Sequence, residues 1–221
     1  MFSRYKIPVG TWLFGLIIFA ILLESCRVRI VPKNELPYYN TPDFTPLWLD
    51  SKSADTVHTI PDFNFTDQQG QKVTRASFEG KITVVDFFFT SCPGICKKLA
   101  DGMEKVQAAY KADDEVRLLS HSVTPDRDNV AVLKRYAEEH NAINGKWSLV
   151  TGARNEIYKI ARTAYFADED MGWKQDSTTF LHTENILLID KQHHIRGIYK
   201  GTIPLQITDL IADIKKLEQE R

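Results

Sequence analysis

The chain has 221 residues, 43% of them apolar and 26% charged, with a formal net charge of -1. That content suits one globular domain of ordinary size plus a leader, and it excludes disorder over long stretches. Near-neutral charge gives no basic footprint for nucleic acid, so no such partner is expected, and three cysteines are too few for a disulfide scaffold.

Residues 1–26 read as a targeting or anchoring segment that stays outside the fold. Arg4 and Lys6 precede an apolar stretch from Trp12 to Leu23, and Leu23-Glu24-Ser25-Cys26 resembles a bacterial lipoprotein cleavage site. The competing reading is an uncleaved transmembrane helix, which needs about 17–25 mainly apolar residues. That length is reached only by counting back to Ile7 through Pro8 and Gly10. Lipid on Cys26 or an N-terminal helix would each tether the rest of the chain at the extracytoplasmic, periplasmic side of the membrane; a cleaved soluble product is the third reading.

Residues 27–59 form a Pro-rich tether, with Pro32, Pro37, Pro42 and Pro46 set among polar residues. Proline at that density excludes a long helix. Tyr38, Tyr39, Phe44 and Trp48 are too many aromatics for a solvated linker, so part of Leu36 to Asp50 is expected to pack on the domain. His58 reads as a surface residue.

The domain spans residues 60–221. Phe63 and Phe65 alternate with polar residues before Asp67-Gln68-Gln69-Gly70 and Val73, which predicts an N-terminal hairpin. Lys81 to Thr90 is a continuous apolar run, hence a central strand buried on both faces. Asp86 within it is a buried acid that either tunes a thiol or is satisfied by neighbouring donors. Helices are predicted over Lys97–Tyr110, Asn129–His140, Asn155–Tyr165 and about Leu205–Gln219, and strands over Val116–Ser122, Trp147–Thr151, Asn185–Asp190 and Ile195–Tyr199. Strand, helix, strand at these lengths implies parallel crossovers, so the fold class is α/β with a central sheet flanked by helices. Ala167 to Thr178, polar and acidic, reads as an exposed loop near the site.

Chemistry concentrates at Cys92 and Cys96, where the strand pattern gives way to the helical one. A helix N-terminus favours negative charge and so stabilises thiolates. Three intervening residues, rather than the two usual in dithiol oxidoreductases, bring both sulfurs to one helical face. Such a pair can bind a soft metal or cycle through a disulfide. Two thiolates leave a transition metal under-coordinated, so a metal site needs a third ligand, most naturally an imidazole. His182, just ahead of the strand from Asn185, is the candidate. His121 is its rival, more simply read as hydrogen-bonded to backbone, while His193 and His194 read as solvated turn residues. Lys97 and Lys98 either draw on the thiolates or line a wet helix face.

Asp86 to Cys96, Ser122-Val123-Thr124-Pro125-Asp126-Arg127-Asp128 and His182-Thr183 together resemble the Sco/SenC family of copper-binding, thioredoxin-like proteins, over roughly residues 60 to 215. The resemblance implies a thioredoxin-like fold with a mixed sheet. It implies copper, Cu(I) and in some states Cu(II), on Cys92, Cys96 and His182. It also implies a metallochaperone that helps to assemble the binuclear copper centre of cytochrome c oxidase, with subunit II as acceptor. Lys97 departs from the family's frequent proline and Thr124 from its frequent aspartate. A thiol-disulfide oxidoreductase using the redox pair Cys92 and Cys96 without His182 is the alternative, and a redox or copper sensor is a third reading. A peroxidase is disfavoured, because Phe89 stands where a threonine is usual.

Overall fold

In the computed structural model, residues 35–49, 53, 56–92, 94–167 and 184–220 are described. The anchor segment therefore lies outside the described residues, as do Cys26 and His182. From Leu36 on the chain forms one compact unit. It opens with β1 (Tyr38–Tyr39), β2 (Pro46–Leu47), β3 (Asn64–Asp67), β4 (Lys72–Thr74), β5 (Ile82–Phe88), α1 (Ile95–Ala109) and β6 (Val116–Ser122). There follow α2 (Val130–Glu139), β7 (Trp147–Thr151), α3 (Arg154–Thr163), β8 (Asn185–Ile189), β9 (Ile195–Lys200) and α4 (Pro204–Gln219).

Strand β5 is buried along its whole length, as its unbroken apolar run predicts. Period two splits its side chains: Ile82, Val84 and Phe88 enter one core, Val85 and Phe87 the other. It pairs in parallel with β6, which pairs in parallel with β7, and α1 and α2 supply the crossovers that parallel pairs require. On its other side β5 runs antiparallel to β8, which continues into β9. The predicted hairpin, β3 and β4, closes the far edge on β7, and its turn residue Gly70 has φ of 75°. The mixed sheet has the order β2-β1-β9-β8-β5-β6-β7-β3-β4.

Helices α1, α2 and α4 cover one face with Leu99, Met103, Leu133, Tyr136, Leu210 and Ile214, while α3 covers the other with Ile157, Ile160 and Ala161. Their starts follow local chemistry: Asn129 caps α2 by accepting from Val132 N–H at 3.1 Å, and Pro204 opens α4 where its missing N–H costs nothing. Gly102 lets α1 meet α4, since a Cβ there would lie 2.9 Å from the Ile207 side chain.

Within the Pro-rich segment, residues 36–49, whose aromatics point to packing on the domain, are folded onto the sheet, with β1 pairing antiparallel to β9. Arg196 on β9 is the physical reason. Its guanidinium donates to the Leu36 and Pro37 carbonyls at 2.8 and 3.1 Å and lies 4.0 Å from the centroid of the Tyr38 ring. Prolines 42 and 46 exclude a helix but tolerate a short edge hairpin. Among the described residues no helix is long and apolar enough to cross a membrane.

Candidate metal centre

Strand β5 ends at Phe88 and α1 begins at Ile95, so the dithiol lies in the turn beyond the carboxyl end of the central strand. Cys92 N–H donates to the Phe89 carbonyl at 3.3 Å and reverses the chain. The N-cap of α1 is Gly94, which has no side chain to cap the first turn. The Cys92 sulfur takes that role, accepting from the N–H groups of Cys96, Gly94 and Ile95. Unpaired N–H groups at a helix start carry partial positive charge, so this is where a thiolate is held most readily.

The two thiols consequently diverge. Burial raises Cys92, yet the hydrogen bond from Cys96 and the three N–H groups outweigh it and leave this half-buried thiol below its ordinary value. Cys96, in the first turn of α1 and buried, is pushed up to about 12 by burial, by its hydrogen bond to Cys92 and by the charges of Cys92 and Asp86. One sulfur is thus an accessible electron-pair donor, and the other keeps its proton until an electrophile displaces it.

Asp86 lies on the same face of β5. Ser120 donates to its carboxylate and in turn accepts from Trp147 Nε1 at 2.8 Å. Burial nevertheless pushes the Asp86 carboxyl up to about 7. The Tyr136 ring stacks on Phe88 at 5.0 Å, and burial together with Asp86, Cys96, Cys92 and Asp128 keeps its hydroxyl protonated. Nothing in the sequence of α2 signals that Tyr136 lies close enough to the thiols for their charges to act on it.

A second set of polar side chains supports the turn from behind. Asp128, fully buried, accepts from Thr90 N–H at 3.2 Å, Thr90 Oγ1 at 2.6 Å, Ser122 Oγ at 2.6 Å and Thr124 Oγ1 at 2.9 Å. Lys97 and Lys98 are exposed, with Lys97 paired to Asp101 at 3.2 Å along the helix, so they line the wet face of α1.

The histidines fall apart from one another. His121 does not bond to backbone among the described residues: it is fully buried, and neither ring nitrogen has a partner among them. It stacks on Phe87 at 5.1 Å and meets Phe65 and Tyr165 at 5.4 and 5.5 Å. Strand alternation puts it with Leu119 on the face away from α1, so it cannot join the cysteines. His193 and His194 are buried rather than solvated, because Asp190 closes their turn, with His194 Nδ1 at 3.2 Å from its carboxylate. His193 takes φ of 68° there. His58 is half-buried, its Nε2 2.8 Å from the Ala164 carbonyl oxygen.

A dithiol on a helix N-terminus, at the carboxyl end of the central strand of a thioredoxin-like fold, defines a protein of thiol redox or soft-metal chemistry. The SCO1/SenC family model matches residues 51–219, and the chain belongs to that family. A SCO1/SenC family lipoprotein from Bacillus anthracis is 28% identical with a TM-score of 0.65, covering 73% of this chain and 95% of its own. BsSco, a member of the Sco family of cytochrome c oxidase assembly proteins in which a disulfide switch has been identified, is 27% identical with a TM-score of 0.62, covering 74% and 95%. ScoI of Bradyrhizobium japonicum, solved with copper bound, is 28% identical with a TM-score of 0.58, covering 72% and 99%.

Proposed function

We propose that this protein is a copper metallochaperone that loads the binuclear copper centre of cytochrome c oxidase subunit II, with copper as its cargo on Cys92, Cys96 and His182. The observation that carries this reading is the split dithiol, a half-buried Cys92 sulfur seated on three N–H groups beside a buried Cys96. Two sulfur donors, one in the turn before α1 and one in its first turn, suit a soft monovalent ion, and a third nitrogen donor leaves the site open to a partner's ligands. His182 precedes β8, and the antiparallel register of β8 on β5 starts that strand at the end of the sheet that carries the cysteines. Copper bound to a relative of similar fold adds support.

The chain's own residues divide the work. Cys92, its thiol held below the ordinary value, offers the first sulfur. Cys96 releases its proton as the ion arrives, and copper supplies the thiolate bonding that makes this favourable. Exchange then passes the ion to the acceptor's ligands, while formation of a Cys92–Cys96 disulfide would remove both donors. Residues 1–26, as a lipid or helix anchor at the periplasmic side, would hold this domain near the membrane-bound acceptor.

The deciding experiment is anaerobic competition titration of the reduced protein from Leu36 onward, alongside His182→Ala. One Cu(I) per chain, bound at least a hundredfold more weakly in the variant, is expected. Binding indifferent to His182 would leave the dithiol oxidoreductase, which needs the same two cysteines alone.

A further inference from the structure

We propose that Asp128 is the positioning residue of the dithiol: from the loop before α2 it clamps Thr90, and through Thr90 it fixes the turn that presents Cys92. The inference rests on the reading of Cys92 as the reactive donor, and it accounts for a segment, Ser122 to Asp128, that the ligand set leaves unused.

Its carboxylate is fully buried, and the four hydrogen bonds to it come from N–H and hydroxyl groups rather than from a cation. Removing a carboxylate from water is unfavourable unless its lone pairs are filled, and fixed dipoles fill them here. Two of the four donors belong to Thr90, one from its backbone and one from its side chain, which pins that residue at two points. Ser122 and Thr124 hold the carboxylate from the other side, and Ser122 Oγ also accepts from Thr124 N–H at 3.2 Å. The neighbouring bond from Val123 N–H to the Phe88 carbonyl, 2.8 Å, ties the same two loops together. The β6–α2 loop thus holds the β5–α1 loop two residues before Cys92.

That grip matters because the sulfur's stabilisation is directional. Thr90 lies inside the turn that Cys92 N–H closes on the Phe89 carbonyl at 3.3 Å, so the residue that Asp128 pins at two points also sets where the Cys92 sulfur is presented, and hydrogen bonds weaken steeply as distance and angle degrade. Thr124 adds a hydroxyl donor from the same loop as Asp128, which leaves the Asp128 carboxylate as the acceptor on which both loops meet.

The test compares Thr90→Val, Thr90→Ser, Asp128→Asn and unmodified protein, each in a Cys96→Ser background for Cys92 alkylation by iodoacetamide at pH 7 and in the dithiol form for glutathione equilibrium and Cu(I) release to a chelator. Valine matches threonine in shape but leaves one Asp128 lone pair unfilled, so circular dichroism and Tm are recorded for every variant and the comparison is made on those that are folded. Positioning predicts that Thr90→Val and Asp128→Asn both slow alkylation about tenfold, shift the glutathione equilibrium, and speed copper release, while Thr90→Ser restores all three. Unchanged alkylation and equilibrium with only a lower Tm would make Asp128 structural and overturn the proposal. Faster alkylation in Asp128→Asn with no effect of Thr90→Val would mean that its charge acts through space, which also overturns it. Alkylation needs no metal, so failure of the unmodified protein to bind copper would sink the chaperone reading without touching this result.

Discussion

Asp86 and His121 are both fully buried, on opposite faces of the sheet, and burial moves their protonation in opposite senses. The Asp86 carboxyl rises to about 7, so between its ordinary pKa and 7 the native state holds a proton that the unfolded chain has lost, and stability falls as pH rises through that window. Burial lowers His121 to about 3, so from its ordinary pKa down to 3 the unfolded chain binds the extra proton, and stability falls as pH falls. The windows overlap between roughly pH 4 and 6.5, where the two slopes cancel; each alone amounts to at most about 5 kcal/mol, at 1.36 kcal/mol per pKa unit. Urea unfolding of metal-free protein should therefore be nearly flat in pH across that range for these two groups. Asp86→Asn should acquire a stability that rises with pH, and His121→Leu one that falls. Parallel pH profiles for the two variants would exclude this assignment.

At the scale of elements, one side chain decides whether the segment from Leu36 belongs to the domain. Arg196 joins β9 to Asp190 at 3.2 Å and to Glu220, beyond α4, at 2.7 Å, while its remaining donors reach the carbonyls of Leu36 and Pro37. Removing one partner of a buried ionic network leaves the others uncompensated, which typically costs about 3–5 kcal/mol. Arg196→Met should lose roughly that much stability in denaturant titration and expose the peptide bonds around residues 36–39 to limited proteolysis. Full resistance at those bonds would mean that β1 is held by its pairing with β9 alone.

For the whole molecule, the proposed division of labour is between a folded copper-binding unit and an N-terminal segment that sets where it acts. Tethering raises the effective concentration of donor at a membrane-bound acceptor without adding any contact. Protein lacking residues 1–26 should therefore bind Cu(I) within about twofold of the full chain yet fail to restore oxidase activity in cells that depend on it. Restoration at ordinary expression levels would show that the anchor is dispensable to delivery.

The sequence determined this protein's framework because its signals are local. The continuous apolar run of β5, the stretches that form α1 and α2, the Gly70 turn and the change from strand to helix at the cysteines can each be read within about fifteen residues, and all appear in the structure within a few residues of their expected limits. The spacing of Cys92 and Cys96 predicts one helical face, but Cys92 lies ahead of α1, because the chain reverses at Phe89 before the helix starts at Ile95. Tertiary structure decided what depends on partners distant in sequence. Arg196 draws Leu36 into the domain from 160 positions away, and β6 register alone sends His121 into an aromatic core instead of toward the thiols. The unequal protonation of the two cysteines and the convergence of Thr90, Ser122 and Thr124 on Asp128 also arise only when two loops meet. Such effects come from burial and hydrogen-bond geometry, which a linear pattern of residue types does not carry.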